Sequence, residues 1–444
     1  MMRRSIATML LVAGFLAPGC IDWSLPDVAH DAHGDGDGDG DSDGDADTDA
    51  DTDANTDTDV DPDTDLDPDT DEVTSSRSIA GMTAGARHTC TWLVDGTGYC
   101  WGGNTYGEVG VVASTYELEP RELGRSAFGR VRSMTAGARH TCAVAADRTV
   151  WCWGSDDQGQ LGDGPEATGT SPTPVQAIGL SDVSLVTAGD AHSCAISGDN
   201  LWCWGNNTDG RVGSGTGHVV EHEPVLIALL AGVVYARAGG HHTCALLDDD
   251  SVWCWGSGQF WQLGLGTDST EHQIPIQVPD LVVEEGVTTG YAHSCAWTYS
   301  RRLDQHFTWC WGNNAYGQLG NDSTTAAQSP TEVQMFTGVD VSGMDAGANH
   351  TCAWTAAGTA WCWGRNEERQ IIGTGGLDFR SPIEMPGLTD VVGMAAGNAH
   401  TCAWRSDGTA WCWGSNEHGQ LGNGLRSSVS GHVEHDFMHS DSGG

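Results

Sequence analysis

Histidine and cysteine recur together along this chain, and both side chains can bind metals or act in catalysis. Six copies of the phrase A-G-x-x-H-[TS]-C, and a seventh that begins with Thr289 in place of Ala, place a histidine two residues before a cysteine. A second cysteine follows in W-C-W-G or, once, Y-C-W-G. The histidines are His88, His140, His192, His242, His293, His350 and His400. Zinc sites usually use C-x-x-C pairs or paired ligands at fixed spacing, and C-x-x-C does not occur here. We interpret each histidine as a buried hydrogen-bonding residue, with structural zinc as the alternative.

The two cysteines of each repeat lie on either side of a predicted turn. A three-residue loop, 406–408, sets Cys402 opposite Cys412 on antiparallel strands, and a two-residue loop, 198–199, keeps this opposition in the third repeat. Opposed residues have Cα atoms about 4.5–5.5 Å apart, within disulfide reach. The fifth repeat lengthens the loop to 301–306. We predict seven disulfides: Cys90–Cys100, Cys142–Cys152, Cys194–Cys203, Cys244–Cys254, Cys295–Cys310, Cys352–Cys362 and Cys402–Cys412.

Carboxylates could supply acid–base catalysis, but no sequence pattern directs them at a substrate. The pairs Glu284-Glu285 and Glu367-Glu368 stand outside any recognisable motif. G-x-S-x-G occurs only at residues 40–44, inside an Asp-rich tract with no apolar strand before it. H-E-x-x-H, the Walker loop and the dinucleotide fingerprint do not occur. We therefore expect no catalytic residue and no organic cofactor.

An Asp-rich tract dominates the charge of the chain. The formal net charge is −42, and the stretch 31–72 holds 20 acidic residues with no Lys or Arg. Asp39, Asp41 and Asp43 begin a loop like that of an EF-hand and form a weak calcium candidate, but Ala50 stands where a bidentate Glu is needed. This composition predicts a disordered, extended linker. The acidic balance argues against a nucleic-acid partner, since phosphate neutralisation needs a basic face.

The N-terminus resembles an export signal. Arg3 and Arg4 precede a short apolar run, 6–16, and Cys20 follows small residues as in a bacterial lipobox. We expect export, lipidation of Cys20 and an outer-membrane or cell-surface location, with a periplasmic or secreted protein as the alternative. The predicted organisation is a signal peptide at 1–20, a disordered linker at 21–75 and a repeat domain at 76–444.

The elements that must position these side chains repeat with a period near fifty. Successive histidines of the phrase are 52, 52, 50, 51, 57 and 50 residues apart, which indicates one supersecondary unit per repeat. Within W-C-W the period of two puts both indoles on one face of a strand and the cysteine on the other. Each phrase ends in a glycine, expected where a side chain would clash: Gly110, Gly162, Gly213, Gly264, Gly320, Gly373 and Gly422.

The phrase W-G-x-N-x-x-G-Q-L-G, as in residues 311–320, resembles the regulator-of-chromosome-condensation repeat. The resemblance implies an all-β, seven-bladed propeller of four-stranded blades. It also implies nucleotide exchange on a small GTPase, which an exported acidic protein is not expected to perform. The cysteine pair departs from the intracellular members and indicates an exported branch. We further expect the tail after Gly422 to pair with N-terminal strands and close the ring.

Positions where single repeats break the pattern are the candidate contacts for a partner. We expect a monomeric, tethered, non-catalytic propeller that binds a protein or glycan at the cell envelope, and alternatively an enzyme with carboxylates converging on one face. Exposed aromatic and Arg residues often anchor interfaces, although these exceptions could also be neutral surface variation or local packing. The candidates are Phe260, Trp261, Arg301, Arg302, His306, Arg365 and Arg369.

Overall fold

The repeated phrase forms strands because its short apolar runs are bounded by turn residues. Trp, Val, Thr and Cys suit a strand that is covered on both faces, and Asp-Gly pairs favour tight turns. The structure is a computed structural model that describes residues 78–165, 169–372, 377–426 and 429–436. Cys20 and the calcium candidates Asp39, Asp41 and Asp43 lie outside the described residues.

The described residues form seven antiparallel sheets of four strands, and each sheet uses four consecutive strands. The predicted seven-bladed propeller is confirmed. The first four blades contain β1 (Ile79–Ala84), β2 (His88–Leu93), β3 (Gly98–Gly103), β4 (Tyr116–Glu122); β5 (Val131–Ala136), β6 (His140–Ala145), β7 (Val150–Ser155), β8 (Thr170–Gln176); β9 (Val183–Ala188), β10 (His192–Ser197), β11 (Asn200–Asn206), β12 (Val220–Leu226); and β13 (Val233–Ala238), β14 (His242–Leu247), β15 (Ser251–Gly256), β16 (His272–Val282).

The last three blades contain β17 (Gly286–Thr289), β18 (His293–Ser300), β19 (Gln305–Gly312), β20 (Ala327–Glu332); β21 (Val341–Ala346), β22 (His350–Thr355), β23 (Ala360–Gly364), β24 (Phe379–Glu384); and β25 (Val391–Ala396), β26 (His400–Arg405), β27 (Thr409–Gly414), β28 (Val429–Asp436). A short helix, α1 (Arg125–Phe128), and a 3₁₀ turn (Gln334–Phe336) lie in the connections between blades.

The second and third strands of each blade set its two cysteines opposite each other. Cys402 pairs with Cys412 and Cys194 with Cys203 in the strand register. All seven predicted disulfides are present, with Cα atoms 4.0 to 4.2 Å apart. The predicted fifth loop was too long. Ser300 pairs with Gln305, so the loop is 301–304 and His306 lies in β19 opposite Tyr299.

The hydrophobic core lies between neighbouring blades. Trp204 of the third blade is fully buried against Cys142 and Cys152 of the second, and Trp202 packs at the edge of the same cluster. The other face of β11 turns Cys203 toward the fourth blade. Both indoles therefore lie on one face of the strand and the cysteine on the other, as predicted.

The ring closes without exchange of strands, so the predicted pairing of the tail with N-terminal strands is wrong. β28 pairs with β27 and completes the seventh blade. The reason is that the chain after the last phrase supplies the fourth strand of its own blade, as in every other repeat. Closure instead comes from contacts such as the Asn398 N–H donating to the Gly85 carbonyl (3.3 Å) and the Trp101 indole donating to the Gln420 carbonyl (3.0 Å).

Two faces of the ring follow from the alternating direction of the strands. The loops between first and second strands and between third and fourth strands share one side, which we name the loop face. The turns between second and third strands and the connections between blades share the other side, which we name the hairpin face. Each predicted contact residue can be assigned to one of these faces.

Candidate functional site: the loop face

The A-G-x-x-H loops surround a narrow central channel on the loop face. The channel holds a cavity of about 70 Å³ walled mainly by Ala and Gly from all seven blades. Backbone hydrogen bonds tie neighbouring loops together, as from Ala86 N to Gly137 O and from Ala138 N to Gly189 O, each 3.3 Å. Only small groups fit such a cavity, so a larger partner must contact the loops around it.

The histidine of each phrase joins neighbouring blades, which confirms its interpretation as a buried hydrogen-bonding residue. His88 Nε2 lies 2.8 Å from Thr141 Oγ1, and that hydroxyl donates to the Glu108 carbonyl at 2.8 Å. Because the hydroxyl has one proton to donate, it accepts from Nε2–H, which fixes the tautomer. The Trp153 indole donates to the same carbonyl at 3.0 Å. Burial lowers the pKa of His88 to about 4.

The same contact occurs at all seven junctions, between the histidine of one blade and the Thr or Ser of the next. A residue used sevenfold in this way holds the ring together. The glycine ending each phrase has a similar role: Gly213 has φ of 81°, and a Cβ there would lie 2.4 Å from Trp255 Nε1. The predicted clash is confirmed at Gly110, Gly162, Gly213, Gly264 and Gly320, while Gly373 lies outside the described residues.

Phe260 and Trp261 lie in the loop between β15 and β16, on the loop face. Phe260 is 40% exposed. Trp261 has φ of 61°, a conformation that favours glycine, and Gly317 takes the same place in the next blade. A bulky residue held at positive φ is strained, so the position of Trp261 is a candidate for function rather than for stability.

Arg365 and Arg369 lie on the loop face of the sixth blade. The Arg365 guanidinium lies over the Tyr316 ring of the neighbouring blade, 5.2 Å from its centroid, and donates to Glu367. Arg369 has φ of 64° at another position that favours glycine. The contact between Arg365 and Tyr316 joins the sixth blade to the fifth, which follows the blade that carries Phe260.

Arg301, Arg302 and His306 lie on the opposite side of the ring from Phe260 and Arg365. Arg301 and Arg302 are exposed in the β18–β19 turn, and Arg301 pairs with Glu284 at 2.9 Å. His306 Nδ1 lies 3.8 Å from Asp340. The sequence candidates therefore divide between two faces and do not form one site.

A polar network on the loop face was missed by the sequence reasoning. Arg211 donates to Asp209 and to the Gly240 carbonyl (3.2 Å), and its guanidinium lies 2.7 Å from His241 Nδ1. His241 Nε2 lies 3.1 Å from the Tyr291 hydroxyl. Burial opposes ionisation of Asp209, but His241 and Arg211 outweigh it and lower its pKa. The visible signal was G-R-V-G in the third repeat in place of G-Q-L-G.

Asp190 adds a carboxylate to the channel wall beside this network. Asp190 is the one carboxylate among the described residues that line the cavity. Burial raises its pKa, although the nearby charges of His241 and Arg211 act to lower it. The carboxylate pairs singled out in the sequence stay apart, since Glu284-Glu285 lie before β17 on the hairpin side and Glu367-Glu368 lie on the loop face. Within the described ranges, no three His, Cys, Asp or Glu side chains are grouped to hold a metal ion.

In the part of the chain that the structure describes, no helix has the length and apolar character needed to cross a membrane. The predicted lipidation of Cys20 and the calcium candidates Asp39, Asp41 and Asp43 cannot be placed on the fold, because they precede residue 78.

The fold and the loop face define a seven-bladed β-propeller built from one repeated unit, with its irregular residues in surface loops. The RCC1-like domain model matches residues 181–436, and the Regulator of chromosome condensation (RCC1) repeat model matches 95–144 and 147–196. The chain belongs to this family of RCC1-like propellers.

Relatives share the propeller over different fractions of their length. The ultraviolet-B receptor UVR8 of Arabidopsis thaliana is 29% identical over 326 residues, covering 71% of each chain. The E3 ubiquitin-protein ligase HERC2 of Homo sapiens is 30% identical over 290 residues, which is 62% of this chain and 6% of HERC2. This chain therefore matches only a small part of the ligase.

Two solved structures share the fold. Prp20p from Saccharomyces cerevisiae, described with its binding properties to Gsp1p and histones, is 21% identical with a TM-score of 0.64, over 72% of this chain and 80% of its own. Human WBSCR16 is 22% identical with a TM-score of 0.66, over 76% of this chain and 94% of its own.

Proposed function

We propose that this protein is a non-catalytic binding propeller of the cell envelope whose loop face contacts a protein partner. The observation that carries the proposal is the division between the repeated phrase and its exceptions. The repeated His, Thr, Cys and second Trp are buried between blades, whereas Phe260, Trp261, Arg365 and Arg369 interrupt the pattern on the loop face. Two of these residues occupy backbone conformations that favour glycine, so selection for stability does not account for them.

A protein partner is favoured over a glycan because related propellers are described with protein partners. The yeast relative is named for binding Gsp1p and histones, and another structure shows Kap60 bound to yeast RCC1. Nucleotide exchange is not extended to this chain, since seven disulfides suit an oxidising compartment.

The enzyme alternative has less support. A glycosidase of the usual kind needs two carboxylates flanking one bond, and Asp190 is the single carboxylate in the described wall of the channel cavity.

The proposed location rests on the N-terminal signal and on Cys20. We propose that lipidation of Cys20 tethers the propeller, because one modified cysteine can carry several acyl chains. A fatty-acid analogue should label the full chain in producing cells and fail to label Cys20→Ser. Equal labelling and membrane association of both proteins would reject the tether while leaving the binding face untested.

The binding proposal is tested by comparing one variant of each face. Full-length protein is crosslinked chemically in producing cells, purified, and its partners are quantified by mass spectrometry. Combined replacement of Phe260, Arg365 and Arg369 by Ala should abolish crosslinking to the partner. The hairpin-face variant Arg301→Ala/Arg302→Ala should still crosslink to it. Both variants should melt near the wild type. Loss through the hairpin-face variant alone would contradict the proposal.

A further inference from the structure

Three arginines gather on the loop face where the seventh, first and second blades meet. Arg87 and Arg139 occupy the same position of the A-G-x-x-H loops in the first and second blades, and Arg426 lies in the loop before β28. All three are exposed. No carboxylate in the described part of the chain lies within ion-pair distance of them, whereas Arg121, Arg148 and Arg301 each have an acidic partner.

The first blade joins the three arginines into one surface, which we name the arginine sector. Arg426 and Arg139 lie over two of its tyrosine rings, and its Gly103 N–H donates to the Arg87 carbonyl at 2.7 Å. The positive charges of Arg87 and Arg426 both act on His418, whose pKa is lowered by burial first and by these charges second. On the other side, Arg87 and Arg139 both act on Glu108, whose pKa burial nevertheless raises to about 7. The sector thus runs from Arg426 through His418 and Arg87 to Arg139.

Aromatic rings support two of the guanidinium groups. Arg426 lies 3.9 Å from the centroid of Tyr116, which also contacts the His418 ring at 5.8 Å. Arg139 lies 4.9 Å from the centroid of Tyr106. A guanidinium stacked on a ring keeps its planar edge of N–H donors free for a carboxylate, and it loses little side-chain entropy on binding.

The acidic side chains near the sector do not form ion pairs with its arginines. The charge of Arg139 acts on Asp190, but Asp190 lies in the wall of the central channel. Glu108 is buried and accepts from the Tyr106 N–H at 2.7 Å. Glu117 is held by Arg121 at 2.8 Å. Glu417 is exposed at the edge and its carbonyl, rather than its carboxylate, accepts from Arg426 Nε at 2.8 Å. In a chain with net charge −42, a group of arginines on one face without an ion-pair partner among the described residues is a specific feature.

We propose that the arginine sector binds an acidic peptide segment of the protein partner. Separate arginines on three consecutive blades fit several carboxylates spaced along one chain better than a single compact anion. Each arginine can form a paired, charge-assisted hydrogen bond with a carboxylate. The inference rests on the proposed function, since it names the chemistry by which the loop face recognises its partner.

The test uses the full chain and a short fluorescent peptide in which Glu alternates with Gly. Arg87→Gln, Arg139→Gln and Arg426→Gln are combined in one variant. The matched control combines Arg130→Gln, Arg132→Gln and Arg302→Gln, which removes the same charge outside the loop face. The sector variant should weaken peptide binding at least about tenfold, as expected for losing charge-assisted bonds worth about 1.4 kcal/mol or more together. The control should change it less than about twofold, and both should melt near the wild type.

Other outcomes overturn the inference in distinct ways. Equal weakening by both variants would show a general charge effect. Binding of heparin but not of the peptide would assign the sector to a glycan. A concentration-dependent dimer in sedimentation that only the sector variant loses would assign it to a second copy of this chain. Absence of peptide binding, with a partner still lost on replacing Phe260, Arg365 and Arg369, would reject this inference and leave the proposed function standing.

Discussion

At every junction between blades, one backbone carbonyl accepts two buried hydrogen bonds. In the sixth blade the Trp363 indole and the Thr351 hydroxyl both donate to Gln318 O at 2.8 Å, and His293 Nε2 lies 2.9 Å from that hydroxyl. The fully buried Trp363 thus packs between blades and also donates to the carbonyl that holds the Thr351 hydroxyl against His293. Stability at the residue scale is concentrated in these few positions of the phrase.

Replacing Trp363 by Ala should lower the free energy of unfolding by about 3–5 kcal/mol, the usual range for deleting a buried aromatic side chain. Trp361 is the matched control, because it lies two residues earlier on the same strand, is only partly buried, and donates to Thr359 Oγ1 within its own repeat. Trp361→Ala should cost clearly less. Denaturant unfolding of the two variants measures both values, and equal losses would show that junction burial is not the dominant effect.

The buried histidines also make stability depend on pH. Burial lowers the pKa of His140 to about 3, with a smaller contribution from His88, whereas an unfolded chain has a value near 6.5. The unfolded state therefore binds the proton more readily. The contribution of His140 is fully present above pH 6.5 and is lost as pH falls from 6.5 toward 3. Buried carboxylates with raised pKa, such as Glu108, act in the opposite direction.

A single substitution isolates the histidine effect from the carboxylates. His140→Gln keeps a donor toward Ser193 but cannot titrate. It should destabilise the protein at pH 7.5, and this difference from the wild type should shrink by about 2 kcal/mol by pH 5, at about 1.4 kcal/mol per pH unit below 6.5. Unfolding measured at several pH values gives the difference directly. A difference independent of pH would contradict the neutral, buried state of His140.

At the scale of elements, a disulfide crosslinks the two central strands of each blade. Peptide mapping without reduction should recover Cys402 linked to Cys412 and the six equivalent pairs. Removing one bond by Cys402→Ala/Cys412→Ala should cost about 2–3 kcal/mol, since the closed loop is short. Links between different repeats, or free thiols in exported protein, would refute the hairpin pairing.

The loops between third and fourth strands contain local strain. Arg369 has φ of 64°, and relieving it with Arg369→Gly should raise the free energy of unfolding by up to about 1 kcal/mol while weakening partner binding. Gly317→Ala in the preceding blade is the reverse change and should destabilise, because its Cβ would lie 2.6 Å from the Arg380 Cα. If Arg369→Gly lowers stability and leaves binding unchanged, Arg369 serves local packing.

The sequence predicts most of the fold because two local features determine it. The alternation in W-C-W sets the faces of each strand, and the loop length between Cys402 and Cys412 sets the hairpin register. The place of the tail was mispredicted, since repeat spacing alone does not say which blade receives the last strand. His306 was assigned to a loop because the Cys295–Cys310 spacing does not show that β18 and β19 extend beyond the usual hairpin.

The candidate site was less predictable for a geometric reason. Asp209, His241 and Tyr291 belong to three different repeats, and their contacts exist only once the ring brings the blades side by side. Departures such as Arg211 can be seen in the sequence, but their partners cannot. The assignment of Phe260 and Arg301 to different faces also depends on the direction of each strand, which only the structure gives.

At the scale of the whole molecule, we propose that the closed ring separates the residues that stabilise the fold from those that contact a partner. Its blades are joined by buried contacts that repeat seven times, and its surface loops hold residues that do not repeat. Packing of this kind lets surface loops vary with little effect on the core. We expect the loop face, rather than the hairpin face, to contact the partner, because Trp261 and Arg369 there occupy backbone conformations that favour glycine.

The most direct test is photo-crosslinking in cells that produce the protein. A photoreactive phenylalanine analogue is placed at Phe260 on the loop face or at Leu303 on the hairpin face, which are 40% and 61% exposed. Contact through the loop face should give a discrete protein adduct from position 260 and none from position 303, even though position 303 is the more accessible. An adduct from position 303 alone would contradict contact through the loop face.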